Sequence, residues 1–88
     1  MDERAIKIVD KYILEHLDKS DRIPAIQIFI VWKCKVLHHC KWLISSTLPD
    51  GMYYEVTYNG IKDEFYLDAY KKFENRCIPG SEVTADET

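Results

Sequence analysis

The sequence predicts a small α+β domain, and three observations carry that reading. Between Asp2 and Leu17, apolar residues recur every three or four positions, the stripe of an amphipathic helix. The middle of the chain is instead rich in β-branched and aromatic residues that alternate with a period of two. Turn chemistry punctuates that middle: Pro49-Asp50-Gly51 opens one strand and Asn59-Gly60 reverses it. The expected architecture is a four-stranded antiparallel meander, with an N-terminal and a C-terminal helix packed on one face.

The first helix is expected over Asp2–Leu17. Ala5, Ile6, Val9, Ile13, Leu14 and Leu17 form its apolar stripe, and Arg4, Lys7, Asp10, Lys11 and Glu15 lie largely opposite. Asp2 and Glu3 suit the positive end of the helix dipole. Lys19-Ser20-Asp21-Arg22 reads as a polar loop, and Pro24 blocks helical continuation.

A long strand is expected from Ile26 to Leu37. Alternation puts Ile28, Ile30, Trp32, Cys34 and Val36 on one wholly apolar face, the expected core. Phe29, Val31, Lys33, Lys35 and Leu37 fall on the other, which turns basic halfway along. His38-His39-Cys40 reads as a turn or bulge before a second strand, Lys41–Thr47. With no Gly or Asn at this reversal the turn type is not legible, and a bent helix through His38–Leu43 competes.

The third strand spans Met52–Tyr58 and the fourth returns through Phe65, Tyr66 and Leu67. If Asn59-Gly60 are the two turn residues, Tyr58 faces Ile61 and Val56 faces Asp63; a bulged turn shifts that pairing by one. Asp68 is a natural N-cap for a short helix, Asp68–Cys77, with Ala69, Tyr70, Phe73 and Cys77 on its buried side. Pro79-Gly80 ends it. Residues 1–78 thus form a single domain and 79–88 an acidic tail expected to be disordered. The expected core is Ile6, Val9, Ile13, Ile28, Ile30, Trp32, Val36, Ile44, Tyr54, Val56, Leu67, Tyr70 and Phe73.

Composition narrows the function classes. At 88 residues the chain holds one core, and 47% hydrophobic residues suffice to fill it without metal or disulfide staples. A net charge of −3 lacks the basic excess usual in a dedicated nucleic-acid binder. The three cysteines, Cys34, Cys40 and Cys77, do not make the even set of a stapled secreted domain. Met1-Asp2-Glu3-Arg4 begins charged, with no apolar run behind it, and Ile23–Trp32 is too short and interrupted to span a bilayer. The expectation is a cytoplasmic chain with reduced thiols and no membrane partner.

No catalytic constellation emerges. Cys34, His38, His39 and Cys40 invite a zinc reading, but neighbouring histidines on an extended chain point to opposite faces and the ligand spacing of zinc modules is missing. A nucleophilic thiol needs a base and an orienting group, and Cys34 falls on the expected core face. Glu55, Asp63 and Glu64 lie on a hairpin too small to enclose an acid–base pair. Gly51, Gly60 and Gly80 are isolated, so no phosphate-cradling loop exists. No enzyme, cofactor or metal is expected.

Recognition is the stronger reading. Six tyrosines and two tryptophans exceed what one small core normally hides, and exposed Tyr and Trp anchor interfaces. The expected partner-binding residues are Lys33, Lys35, Lys41, Trp42, Tyr53 and Glu55, on a sheet face left bare by the helices. The expected partner is a host or phage protein, and the chain itself a monomer or weak homodimer. The runner-up is RNA or single-stranded DNA held by Lys33, Lys35, Lys41, Trp42 and Lys71, with rings stacking on bases and ammonium groups meeting phosphates. The helix–strands–helix order is loosely similar to the double-stranded RNA-binding fold, without its basic loop and helix signature.

Val31-Trp32 with Lys35, Trp42, Ser46-Thr47 and above all LPDGMYYEVTYNG and YLDAYKKFEN resemble a small family of uncharacterised proteins. These come from phages and prophages of Gram-positive bacteria and are grouped as a domain of unknown function. The resemblance spans roughly Ile28–Ile78 and carries no catalytic residue. It implies a short accessory protein made inside the host cell.

Overall fold

The computed structural model describes residues 1–17 and 26–83. Helix α1 (Asp2–His16) is followed by strands β1 (Ile28–Val36), β2 (His39–Ser46), β3 (Met52–Asn59) and β4 (Glu64–Lys71). A single 3-10 turn, Gly80–Glu82, ends the described chain. The strands form one antiparallel sheet in the order β1-β2-β3-β4, as expected of a meander. The expected loop 19–22 and Pro24 lie outside the described residues, as does the end of the acidic tail.

In α1, Ala5, Val9 and Ile13 bury a stripe at four-residue spacing against Cys40, Trp42, Ile44, Tyr54 and Val56. Those five project from alternate positions of β2 and β3, the two central strands, with Ile28 and Ile30 of β1 and Phe65 and Leu67 of β4 packed partly buried beside them. Tyr12 meets Tyr54 edge-on at 5.6 Å, and His16 stacks on Tyr12 while its Nδ1 donates to the Tyr12 carbonyl. The helix lies across β1, β2 and β3 and reaches β4 where the Arg4 guanidinium sits over the Phe65 ring, 4.8 Å from its centre.

The C-terminal helix expected over Asp68–Cys77 does not form. Asp68, Ala69, Tyr70 and Lys71 continue β4, pairing with Glu55, Tyr54, Tyr53 and Met52, and Lys72–Pro79 runs on as exposed, non-helical chain. A ten-residue helix is marginal on its own. The same residues gain ladder hydrogen bonds and a Tyr53–Tyr70 cross-strand pair as a strand. Ala69, Tyr70 and Cys77 are therefore exposed, and Phe73 is 100% exposed instead of buried.

β1 departs from simple alternation. Ile30 pairs with Ile44 and Trp32 with Leu43, so Val31 is passed over in a bulge that reverses the faces beyond it. Ile28 and Ile30 face the helix as expected, but Trp32, Cys34 and Val36 move to the opposite face. Lys33 and Lys35 take the helix side in their place. Trp32 and Val36 are thus exposed, and Trp42, expected at the partner surface, is fully buried.

The β1–β2 and β3–β4 turns also differ from expectation. Leu37-His38 is a two-residue loop closed by the Val36–His39 pair, with Leu37 at φ 55°. β2 starts at His39, without a bent helix. At the other hairpin Tyr58 pairs with Phe65 and Asn59 with Glu64, leaving a four-residue loop, Gly60–Asp63. The Asn59 side-chain oxygen accepts from the Ile61 and Lys62 amides, so it caps this loop and does not occupy its centre. Asp63 carries the positive φ (51°), and its carboxylate accepts from the Tyr58 hydroxyl at 2.7 Å. Gly60 is needed for a different reason: a Cβ there would collide with the His38 carbonyl of the neighbouring turn.

The result is a slab of 53 × 38 × 16 Å. Its radius of gyration is 16.8 Å, against about 12 Å for a compact domain of this length.

Candidate interaction surface

Paired residues in an antiparallel ladder share a face, so the registers define the side of the sheet away from α1. Four rows cross it. Phe29, Ser45, Tyr53 and Tyr70 form the first, and Trp32, Leu43, Glu55 and Asp68 the second. Cys34, Lys41, Thr57 and Tyr66 form the third, and Val36, His39, Asn59 and Glu64 the last. No described element covers this face.

The apolar groups here are large and accessible. Trp32 is 43% exposed, Tyr66 47% and Tyr70 51%, with Phe29 and Val36 also exposed. Apolar residues gather toward β1, and carboxylates toward β4. A shallow hollow of about 300 Å³ opens among Trp32, Cys34, Val36, His39, Lys41 and Thr57. One ion pair crosses the middle, Lys41 Nζ to Glu55 Oε1 at 3.0 Å, and that carboxylate raises the Lys41 pKa. Tyr66 donates its hydroxyl to Glu64, which raises the phenol's pKa. These two contacts restrain Lys41, Glu55 and Tyr66 on the open face.

The expected binding residues divide between the two faces. Lys41, Tyr53 and Glu55 lie on the open one. Lys33 and Lys35 lie on the helix side, where they border a cleft of about 390 Å³ with Met1, His38 and Tyr58. Trp42 sits beneath α1, its Nε1 donating to Asp2 Oδ1 at 2.9 Å, and Lys33 Nζ meets the same oxygen at 2.9 Å. The Trp42 hydrogen bond, and after it Lys33, hold the Asp2 carboxyl below its ordinary pKa. These contacts lock the start of α1 to the sheet. Lys71 is exposed, its row belonging to the helix side at the far end of β4. The set named for nucleic acid therefore spans both faces and one buried ring.

Cys34 and His39 reach the open face, His38 the turn, and Cys40 the core. Cys34 and Cys77 are exposed free thiols, while Cys40 is buried. Sequence reasoning missed Phe29, Trp32, Val36, Tyr66 and Tyr70. Reading Glu64–Lys71 as a strand would have found the last two by alternation. The Val31 bulge leaves no mark in composition, so Trp32 and Val36 had no such signal.

Residues 2–80 match a family model described as a family of unknown function (DUF6275). No curated protein and no solved structure matches significantly. No helix among the described residues is long and apolar enough to cross a membrane.

Proposed function

We propose, for a chain that belongs to the DUF6275 family of unknown function, a non-enzymatic protein-binding module that offers its bare sheet face to another protein. The exposure, on this one face, of Trp32 and Val36 from β1 and of Tyr66 and Tyr70 from β4 carries this reading. Exposed aromatic residues gathered on one uncovered face support a contact surface, since exposed Tyr and Trp anchor interfaces. The Lys41–Glu55 pair sits among the rings as an orienting polar contact. The resemblance to phage and prophage proteins supports a cytoplasmic host or phage protein as the partner.

The test is affinity capture with nuclease-treated host lysate, comparing wild type with Trp32→Ala and Tyr70→Ala. A partner retained by wild type and lost by both variants is the expected result. Equal capture by all three overturns the reading. Nucleic-acid binding is checked beside it by fluorescence titration with single-stranded RNA at about 50 mM salt, where phosphate contacts are strong. Binding there that fades steeply with added salt would replace the protein partner as the conclusion.

A further inference from the structure

We infer that β4 is a pairing edge, and that two copies of this chain join antiparallel through it into one eight-stranded sheet. The inference is independent of what binds the open face. It begins from the difference between the sheet's two outer strands. β1 carries a bulge at Val31 and lysines at 33 and 35, features that blunt an edge against further pairing. β4 has eight regular residues, no proline and no bulge. Nothing among the described residues bonds to its outer side.

The direction of its free groups follows from one hydrogen bond. The Lys72 amide donates to the Gly51 carbonyl at 2.8 Å, just beyond the Met52–Lys71 pair. Even-numbered positions of β4 therefore bond to β3, and Phe65, Leu67, Ala69 and Lys71 turn their N–H and C=O groups outward. That is a complete set of donors and acceptors for a second strand.

Charge then selects the register. A two-fold axis normal to the sheet keeps the same face up in both copies and pairs each residue about a centre. Centred on Leu67, it sets Phe65 against Ala69, Tyr66 against Asp68, and Asp63 against Lys71. Neighbouring centres bring acids together: Glu64 on Asp68, Asp68 on itself, or Glu64 on Glu74. Like charges directly opposed are destabilising, and centres at Phe65 or Tyr70 overlap only a short end of Glu64–Lys71, so the Leu67 centre wins. The two open faces then lie side by side on one surface.

Sedimentation of the full chain from roughly 1 to 100 µM tests this by mass action. The expected result is growth from the 10.4 kDa monomer to twice that mass. Tyr66→Asp places a second carboxylate opposite Asp68 at two symmetric points and weakens the dimer by about tenfold or more. Tyr66→Lys, facing the same Asp68, strengthens it by a similar factor, which misfolding does not do. Trp32→Asp, on the same face but at the far edge, leaves the dimer unchanged. A monomer at every concentration overturns the inference. So does loss of the dimer in Trp32→Asp, which signals face-to-face contact, or an equal response to Tyr66→Asp and Tyr66→Lys.

Discussion

The two tryptophans of this chain lie on opposite faces of one sheet only 16 Å thick with its helix. Trp42 is sealed under α1 and spends its one donor on Asp2; Trp32 lies 43% exposed with no such partner among the described residues. Ten residues apart in sequence, they teach that residue type does not decide burial here. Position relative to a single helix does. One face holds the fold together, and the other is left for contact.

The sharpest way to break that contrast is to truncate each ring in turn. Trp42→Ala removes the largest fully buried side chain and orphans its Asp2 contact, and should destabilise by about 3–5 kcal/mol in urea unfolding. Trp32→Ala should change the same free energy by less than about 1 kcal/mol. Comparable losses would mean that both faces are structural.

Gly60→Ala comes next. The new methyl meets the His38 carbonyl, so the two hairpin tips must part, at a cost of about 1–3 kcal/mol by the same measurement. Because both tips lie at one end of the sheet, capture of a partner through Trp32 and Tyr70 should survive.

A smaller effect is expected from acid. Asp2 has its pKa lowered in the folded chain by Trp42 and Lys33. A carboxyl depressed by folding contributes stability that is complete above its unfolded pKa, about 4, and is lost as pH falls through the lower folded value. Unfolding followed by circular dichroism should thus show wild type weakening below about pH 4. Asp2→Asn should be weaker at neutral pH and flatter through that window. On the open face, Lys41→Met should leave the urea midpoint unmoved, since an exposed pair contributes little to stability.

Much of this arrangement was legible in the sequence, for local reasons. The α1 stripe, the meander and the position of the Asn59-Gly60 reversal all rest on periodicity or on the side chain's own backbone preferences. What failed depended on distant partners. Asp68 and Ala69 read as a helix start until β3 offers them Glu55 and Tyr54. Trp32 and Val36 read as core because a period of two cannot register one unpaired residue at Val31. Trp42 read as surface for its neighbour Lys41, although alternation sets it on the face of Ile44, an expected core residue. Of the binding residues expected, Lys41, Tyr53 and Glu55 were placed by β2 and β3, whose alternation is unbroken.

The sulfur atoms are distributed unevenly across this asymmetry. Cys34 and Cys77 stand in water, whereas Cys40 is shut inside the core behind the helix. A thiol-labelling reagent added to the intact molecule should therefore count two fast equivalents and one slow one. The slow one times how often the helix lifts from the sheet, a clock for local opening that needs no engineered probe.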